Sequence, residues 1–325
     1  MGRALSGVFE EEMITAYAYA KINITFEVLG RREDGYHDIV SILQEIDLKD
    51  TIQFEAAPSL SIDCDNVELR PSDNLALKAA RLLKKESGYK GGAKIILKKG
   101  IPVAAGLGGG SSDAGAALVA LNRLWKLNLS TEELVEMAAT LGSDVPYFIR
   151  GGTALAEGRG ERVTPLPPLP LSYVVLLKPS VTVPVSKTKA MYGALRPSHY
   201  SKGDYARKTE AFIESAVEGH QPPVSPNHGG IKKIGGHPQA PVRNNPVPLF
   251  QGYNTFDFVA CEMYEGMEWY RNKFDEAGAD EAHLAGAGPT LFALMRDRAR
   301  AGKIHRSLKE LGLETYLVET VSRVD

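Results

Sequence analysis

The segment of this sequence best suited to chemistry is a glycine-rich stretch in the first half of the chain. Gly106 and the glycines at positions 108–110 are followed by Ser111 and Ser112, and then by a good helix-forming sequence. Glycine lets the backbone adopt positive φ angles and approach a ligand closely. Free N–H groups at the start of a helix, with the helix dipole behind them, form a site for phosphate oxygens. The stretch therefore predicts a phosphate-binding loop, to which the two serine hydroxyls add hydrogen-bond donors.

Three other structures would use such a stretch, and the sequence disfavours each of them. A Walker A loop ends in Gly-Lys-Ser or Gly-Lys-Thr, and no lysine follows these glycines. A dinucleotide-binding fingerprint that begins at Gly106 needs glycine or alanine at the position of Ser111. A purely structural turn would carry the entropic cost of four glycines without any packing in return.

Lys21 and Asp144 are charged residues beside apolar segments. Lys21 interrupts a strand-like segment, where alternation puts it on the same face as Tyr17 and Tyr19, so it need not be buried. Asp144 follows a predicted helix end and precedes the run Val-Pro-Tyr-Phe, which would exclude water. From the residues alone, a solvated lysine and a turn aspartate are the ordinary explanations.

Three motifs, in order along the chain, resemble those of the GHMP kinases, a superfamily that includes galactokinase, homoserine kinase and mevalonate kinase. The first is Ala-Lys-Ile-Asn at 20–23 with Gly-Arg-Arg-Glu-Asp-Gly-Tyr-His at 30–37. The second is the glycine-rich stretch at 102–112, and the third is Leu-Gly-Ser-Asp-Val-Pro-Tyr-Phe at 141–148. The resemblance implies a two-domain α+β fold, with an N-terminal ribosomal-protein-S5-domain-2-like ATP-binding domain and a C-terminal ferredoxin-like α/β domain.

The resemblance implies an ATP-dependent kinase, and its motifs are similar to those of the branch that phosphorylates a cytidine-diphosphate-linked methylerythritol. That branch transfers the γ-phosphoryl group of ATP to the 2-hydroxyl, on the non-mevalonate route to isoprenoid precursors. By resemblance, Asp144 acts on this hydroxyl, and Lys21 contacts both the aspartate and the hydroxyl. A lysine there holds the aspartate ionised through its charge. Mg²⁺ is expected because phosphoryl transfer needs charge neutralisation, but the sequence identifies no ligands for it.

The resemblance also assigns binding residues. Tyr36 would stack on the cytosine, His37 would hydrogen-bond its edge, and Tyr192 would close its other side. Asn23 would join Lys21 in holding the erythritol hydroxyls. The residues expected to bind ATP are Asn74, Lys99, Pro102, Val103, Ala104, Ala105, Gly106, Leu107, Gly108, Gly109, Gly110, Ser111 and Ser112.

Several of these residues also have structural explanations. Asn74 suits a helix N-terminus equally well. Tyr36 and His37 could be a packed hairpin flank, and Tyr192 a core aromatic.

The sequence departs from the family pattern at three places. Residues 284–290, Leu-Ala-Gly-Ala-Gly-Pro-Thr, match a further motif in which two serines are usual, and Ala285 and Ala287 stand in their place. Two hydroxyl donors are therefore missing from a loop expected to bind the substrate diphosphate. Lys187 separates a serine and a threonine that the family usually has adjacent. Asn254 echoes an Asn-Asp-Phe segment, but Thr255 replaces its acid, so no role follows.

Two other functions stay open. One is another GHMP kinase that acts on a small alcohol such as mevalonate or homoserine, which the motifs at 20–23 and 35–37 disfavour. The other is a nucleotide sensor of the same fold without catalysis, which the retention of Lys21 and Asp144 disfavours.

Periodicity predicts the elements that position these residues. Strands are expected at 14–29 (one long or two short), 39–48, 51–55, 60–64, 93–98, 153–157, 162–163, 173–178, 283–285, 290–295 and 315–320. Helices are expected at 74–87, 113–125, 131–141, 188–195, 205–218, 256–277 and 298–311. The Pro-rich string at 165–170 predicts a boundary between domains at 13–168 and 169–325.

Two segments fall outside this pattern. Residues 1–12 are expected to be a disordered leader. Residues 221–248 are crowded with Pro, Gly, His and Asn, which predicts a disordered insertion in the second domain. His220, His228 and His237 lack the fixed spacing of metal ligands.

Composition bounds the remaining possibilities. With 38 basic and 40 acidic residues among 325, the net charge of −2 disfavours a nucleic-acid partner. No apolar run is long enough for a membrane span, and no signal-peptide pattern occurs, so no membrane partner is expected. Two distant cysteines, Cys64 and Cys261, fit a reducing cytoplasm. The predicted partner is a small molecule with a cytidine diphosphate moiety, bound by a monomer or homodimer.

Overall fold

The computed structural model describes residues 13–67, 69, 71–217 and 252–323. The expected leader, the insertion at 221–248 and the three histidines near it lie outside the described residues. Contacts between Cα atoms divide the chain into two compact units. Of the described residues, unit 1 comprises those up to Ala20, Leu48–Val103 and Gly108–Arg150, and unit 2 comprises Lys21–Asp47, Ala104–Leu107 and those from Gly151 onward.

The described residues of unit 1 form part of a sheet and four helices. The long strands β1 (Met13–Arg31) and β2 (His37–Ala57) each contribute one end to it. In this unit β2 pairs antiparallel with β4 (Gly92–Lys98), and β3 (Ser61–Cys64) pairs parallel with β4. The helices are α1 (Leu75–Ser87), α2 (Gly109–Leu124), α3 (Thr131–Leu141) and α4 (Val145–Arg150).

Capping residues set the ends of these helices, and one apolar cluster holds them together. Asn74 caps α1, and Gly88, with a φ of 68°, ends it in the left-handed conformation. Ser130 and Glu133 form the predicted capping box at the start of α3. The buried side chains of this cluster include Leu83, Leu118, Leu121, Ile52, Phe54 and Ile95.

Unit 2 contains strand pairs and a separate antiparallel sheet. Here β1 pairs parallel with β8 (Tyr253–Asn254), β2 pairs antiparallel with β5 (Thr153–Gly158), and β5 pairs with β6 (Arg162–Pro165). The separate sheet has the order β11 (Glu314–Glu319), β7 (Tyr173–Lys178), β10 (Leu291–Met295), β9 (His283–Leu284).

The helices of unit 2 are α5 (Lys187–Ala194), α6 (Asp204–Val217), α7 (Ala260–Met263), α8 (Met267–Glu276) and α9 (Arg298–Glu310). Helix α9 packs against β7 and β11. The core of this unit includes Val175, Leu177, Phe274, Leu291 and Ile304. The predicted α+β composition is thereby confirmed.

The structure corrects several predicted elements. The single helix expected at 256–277 is a 3₁₀ turn (Thr255–Phe258) followed by α7 and α8, because Gly266 with a φ of 81° interrupts it. The strands expected at 39–48 and 51–55 are one strand, β2. The apolar run after Asp144 is the helix α4, which the periodicity of so short a segment did not reveal.

The described helices include none with the length and apolar character needed to span a membrane. The compact units are made of alternating stretches of chain, whereas the predicted domains are continuous. The predicted domains at 13–168 and 169–325 therefore stay a prediction.

Candidate active site

The glycine-rich stretch forms the start of α2 in unit 1. The helix begins at Gly109, four residues before the predicted start, and Gly108 precedes it with a φ of 75°. No side chain in the described part of the chain caps this helix, so the amide groups of its first turn have no capping acceptor there. Uncapped amides, together with the helix dipole, create a local site for an anion. The predicted helix was too short because glycine and serine have low helix propensity, although they are well suited to a first turn.

Lys99 lies among carboxylates rather than in the open. Its Nζ is 2.5 Å from Asp50 Oδ2 and 2.7 Å from Asp113 Oδ2, and all three side chains are largely buried. Asp50 Oδ1 also accepts hydrogen bonds from the backbone N–H groups of Gly100 and Ile101. These contacts fix the end of β4 to the first turns of α2, on either side of the glycine-rich stretch.

Burial controls the charge of this group. It raises the pKa of Asp113 to about 7, against the opposing effect of the Lys99 ammonium. Burial alone would lower the pKa of Lys99, but Asp113 and Asp50 outweigh it and the pKa is raised. Lys99 therefore stays protonated, and its predicted contact with a phosphate stays a prediction. The sequence analysis did not predict that Asp50 and Asp113 bind Lys99. For Asp50 a signal was present, because an aspartate within a strand-like segment is unusual.

Asn74 and Asp144 occupy two other positions of unit 1. Asn74 Oδ1 accepts hydrogen bonds from the N–H groups of Ala76 and Leu77, so its structural explanation as a helix cap is confirmed. Its contact with ATP stays a prediction. Asp144 is partly buried and lies between the end of α3 and the start of α4, whose residues 145–149 are all buried. The run that follows Asp144 is buried as a helix, whereas its role in excluding water from this carboxylate stays a prediction.

Lys21 and Asn23 lie side by side on β1 in unit 2. Lys21 Nζ donates to Asn23 Oδ1 over 2.7 Å, and Asn23 Nδ2 donates to Ser41 Oγ over 2.8 Å. Ser41 Oγ in turn donates to the carbonyl of Thr25. Lys21 and Asn23 are almost fully buried, at 4% and 3% exposure, so the ordinary explanation of Lys21 as a solvated lysine does not hold.

This burial is possible because hydrogen bonds replace the water that a lysine loses. Asp144 belongs to unit 1 and Lys21 to unit 2, so the predicted contact between them stays a prediction.

The loop of residues 285–290 lies against the residues 104–107 of the same unit. A Cβ atom on Gly106, whose φ is 90°, would lie 2.2 Å from the carbonyl oxygen of Ala285. A Cβ atom on Gly286 would lie 3.4 Å from both Lys21 Nζ and Asn23 Oδ1. Glycine is therefore required at 106, and the loop reaches the pair of Lys21 and Asn23.

Three side chains that the sequence did not reveal support this loop. Asn254 Nδ2 donates to the carbonyls of Leu284 and Gly286, each over 2.8 Å. Tyr264 donates its hydroxyl to the carbonyl of Ala287. Lys187 Nζ donates to the carbonyls of Ala104 and Gly288. No local pattern could have identified them, because each contact joins residues far apart in sequence.

A second network holds the strand that leads into the loop. Asp257 accepts from Arg271 Nη2 over 2.5 Å, from the backbone N–H of Leu284 over 3.1 Å, and contacts His283 Nδ1 at 2.7 Å. Burial by itself raises the pKa of the Asp257 carboxyl, but Arg271 and His283 outweigh it and lower the pKa. Asp257 therefore stays ionised and anchors Leu284.

The residues predicted to bind cytosine form an aromatic group in unit 2. The rings of His37 and Tyr192 are stacked, with centroids 4.7 Å apart, and Tyr200 meets His37 edge-on. Burial, with a contribution from Arg31, lowers the pKa of His37, which favours the neutral ring. Tyr36 is 57% exposed, and the guanidinium of Arg159 lies 4.9 Å from its ring centre. The structure thus brings His37 and Tyr192 together and leaves Tyr36 accessible, whereas their roles toward a base stay predictions.

Comparisons of this sequence with family models and with curated proteins both find kinases. Residues 74–152 match a family model described as GHMP kinases N terminal domain, and residues 249–313 match one described as GHMP kinases C terminal. A 4-diphosphocytidyl-2-C-methyl-D-erythritol kinase of Dehalococcoides mccartyi is 39% identical over 96% of this chain and 100% of its own length. The enzyme of the same name from Pelotomaculum thermopropionicum is 40% identical over 90% of this chain and 92% of its own.

Solved structures give the same result for the fold. A crystal structure of 4-(cytidine 5'-diphospho)-2C-methyl-D-erythritol kinase has a TM-score of 0.74 and 29% identity, and covers 95% of this chain and all of its own. A homoserine kinase from Cytophaga hutchinsonii has a TM-score of 0.67 at 16% identity, covers 98% of each chain, and shows the fold alone.

Proposed function

This chain belongs to the GHMP kinases, and from that we propose that it transfers the γ-phosphoryl group of ATP to the 2-hydroxyl of 4-diphosphocytidyl-2-C-methyl-D-erythritol. The observation that carries the proposal is the burial of Lys21 with Asn23, in a chain whose full-length relatives bear the name of this kinase. A kinase has little covalent chemistry to perform, so positioning and charge stabilisation account for most of its catalysis.

The start of α2 supports the ATP-binding half of the proposal. The uncapped amides of Gly109, Gly110 and Ser111 suit phosphate oxygens, and the positive end of the helix dipole favours their charge. Asp50 and Asp113 hold Lys99 beneath this turn, which keeps the turn in place when a highly charged nucleotide binds.

Lys21, Asn23 and Asp144 support the acceptor half. A carboxylate such as Asp144 takes the proton of the attacking hydroxyl or positions that hydroxyl, and the ammonium of Lys21 makes the hydroxyl more acidic. Asn23 fixes the Lys21 side chain through the 2.7 Å hydrogen bond. The reaction therefore carries little further entropic cost for the orientation of this lysine.

The aromatic group supports recognition of the cytidine. Tyr36 offers an exposed face on which a base can stack, and the neutral ring of His37, whose Nε2 contacts the Tyr200 hydroxyl at 3.5 Å, offers its other nitrogen to the edge of the base. The stacked pair of His37 and Tyr192 gives that edge-reading group a fixed orientation.

Mg²⁺ would bind to this protein mainly through the phosphates of the nucleotide, and not through a complete set of protein ligands. Among the described residues, no group of three acidic, histidine or cysteine side chains is suited to hold a metal. Asp50 and Asp113 are already engaged by Lys99, although Asp113 Oδ1 has no partner in the described part. Mg²⁺ commonly binds through substrate phosphates, water and one or two carboxylates, and there it neutralises the charge of the transferred group.

The cell location and assembly belong to the same proposal. We place the activity in the cytoplasm because the two cysteines, Cys64 and Cys261, form no disulfide. The partner is the small-molecule substrate, bound by a monomer or homodimer.

The test is an assay of ADP release across a panel of alcohols with and without a cytidine diphosphate group. We expect rapid ADP release with 4-diphosphocytidyl-2-C-methyl-D-erythritol, and at least a hundredfold lower kcat/KM with 2-C-methyl-D-erythritol 4-phosphate, which lacks the cytidine. The panel also includes mevalonate and homoserine, which are the acceptor alcohols of other GHMP kinases. Turnover of either one, without turnover of the cytidine-linked alcohol, would refute the proposed substrate and leave the kinase assignment intact.

A further inference from the structure

Lys187 is a charged side chain that the proposed mechanism does not use. It is the first residue of α5, and it follows Ser186, whose φ of 56° is unusual for a residue with a side chain. Its partly buried Nζ donates to the carbonyl of Ala104 over 2.8 Å and to that of Gly288 over 2.5 Å. The ammonium thus joins the residues 104–107 to the loop 285–290.

No carboxylate among the described residues neutralises Lys187. Burial lowers the pKa of its ammonium to about 8, and the charge of Lys21 on β1 contributes in the same direction. The other groups that face it are the neutral carbonyls of Ala104 and Gly288. A partly buried charge without a counter-charge is unfavourable, so this arrangement favours the arrival of an anion. An ammonium has three donors, and the two carbonyls use only two of them.

The neighbouring loop carries no charged side chain and has alanine at two positions, Ala285 and Ala287, where a hydroxyl could meet an anion. Ala285 and Ala287 carry no hydroxyl, and the N–H groups of Ala285 and Gly288 are used within the loop, by Thr290 and Ala285 respectively. Among the described residues, the amides of Gly286 and Ala287 have no acceptor. An anion at this loop would therefore meet neutral donors only, and a cationic side chain beside the loop adds a charge-assisted hydrogen bond that the loop itself does not supply.

We propose that Lys187 binds a phosphate group of the substrate at the loop 285–290 and takes the place of the two missing hydroxyls. This inference rests on the proposed function, since the phosphate is that of a cytidine diphosphate. Lys187 contributes in two ways: its two carbonyl contacts keep the loop against Gly106, and its third donor and its charge serve the phosphate.

Proton uptake on binding distinguishes this role from a structural one. A phosphate beside Lys187 raises the pKa of the ammonium, so at pH 8 binding should draw about half a proton from solution. The probe is cytidine 5'-diphosphate, titrated by calorimetry at pH 8 in two buffers of different ionisation enthalpy. The ATP site is first saturated with a non-hydrolysable ATP analogue, so that the cytidine nucleotide meets only the remaining site.

Three variants sharpen the result. Lys187→Met should bind cytidine 5'-diphosphate at least tenfold more weakly and without proton uptake, and should raise KM for the cytidine-linked substrate with kcat changed less than threefold. Lys187→Arg keeps the charge but does not titrate, so it should bind within about threefold of the unmodified protein and take up no proton. Lys189→Met, an exposed position of the same helix, is the matched control and should behave like the unmodified protein.

The outcomes separate the two proposals. Equal affinity and equal proton uptake in Lys187→Met would overturn the role of Lys187 alone. Loss of binding in both Lys187→Met and Lys187→Arg, with unchanged thermal melting, would also overturn it, because the charge would not be the cause. No binding of cytidine 5'-diphosphate to the unmodified protein, with the ATP analogue still bound, would overturn the proposed substrate and this inference together.

Discussion

Among the described residues, three lysines that are at least partly buried, Lys21, Lys99 and Lys187, are stabilised by different partners. Lys99 is neutralised by Asp50 and Asp113, whereas Lys21 donates to the amide oxygen of Asn23 and Lys187 donates to two backbone carbonyls. Carboxylates keep a lysine charged and occupied, so Lys99 is suited to a structural task. Neutral oxygens hold a lysine in place without cancelling its charge. Lys21 and Lys187 are therefore better suited to act on a ligand.

Replacement of Asp144 by asparagine tests the acceptor side of the site. The substitution keeps the size of the side chain but removes its basicity, so kcat should fall by about 10²–10⁴-fold while KM for ATP changes little. Steady-state assays with the cytidine-linked substrate measure both parameters. Glu136→Gln, an exposed carboxylate on the preceding helix α3, should leave both unchanged. A kcat within threefold of the unmodified enzyme would remove Asp144 from the mechanism.

At the scale of single residues, the sequence indicated which residues belong to the candidate site better than it indicated the burial and the partners of their side chains. The resemblance named Lys21 and Asn23 together, and in the structure a hydrogen bond joins their side chains, whereas their contact with the erythritol hydroxyls stays a prediction. The burial of Lys21 did not follow, because it depends on Ser41 of a neighbouring strand. Asn254 and Lys187 were missed for the same reason: their partners lie 30 or more residues away in sequence.

At the scale of elements, the short strand β9 is held by charge as well as by pairing. His283 on this strand contacts Asp257 at 2.7 Å and Glu281 at 3.7 Å. Burial alone would lower the pKa of His283, but the hydrogen bonds and charges of Asp257 and Glu281 outweigh it and raise the pKa to about 9. The network thus links the protonation of one imidazole to the strand that leads into the loop 285–290.

His283 should make stability depend on pH in a defined window. Because its pKa is higher in the folded state than the usual 6.5, the stabilisation is complete below about pH 6.5 and is lost as the pH rises through about 9. We expect the free energy of unfolding to fall across this window by a few kcal/mol. His283→Gln should be less stable at pH 6.5 and should lack this part of the slope.

Urea unfolding at a series of pH values measures the effect. His305→Gln, on the helix α9, is the matched histidine control and should keep the slope of the unmodified protein. An equal slope in His283→Gln would show that another group carries the pH dependence.

Elements with strong local signals were predicted well, and those shaped by distant contacts were not. The capping box at Ser130 and the apolar run of β7 gave the bounds of α3 and β7 to the residue. The break expected near Asp50 is absent, because hydrogen bonds to Gly100 and Ile101 let this aspartate lie within a continuous β2. The helix expected at 256–277 divides at Gly266, where a positive φ overrides the helical pattern.

At the scale of the whole molecule, each unit has its own apolar core. Leu121 is fully buried in the core of unit 1, and Val67 of the same unit is 96% exposed. Leu121→Ala should lower the free energy of unfolding by about 2–5 kcal/mol, because it leaves a cavity among close-packed side chains. Val67→Ala should change it by less than about 0.5 kcal/mol. Denaturation in urea measures both, and a loss below about 1 kcal/mol for Leu121→Ala would show that this core can relax to fill the space.

The alternating path of the chain also has a consequence for dissection of the molecule. The polypeptide crosses from one unit to the other five times, at residues 20, 47, 103, 107 and 150. No single cut yields two complete halves, since any fragment that ends near the middle lacks strand segments that its unit requires. During synthesis, unit 1 has all its residues once Arg150 has left the ribosome, whereas the pieces of unit 2 already made must wait for the carboxyl-terminal half. Until β5 and β8 have been made, the parts of β1 and β2 that belong to unit 2 lack these partner strands, and unpaired strand edges of this kind are prone to wrong pairing.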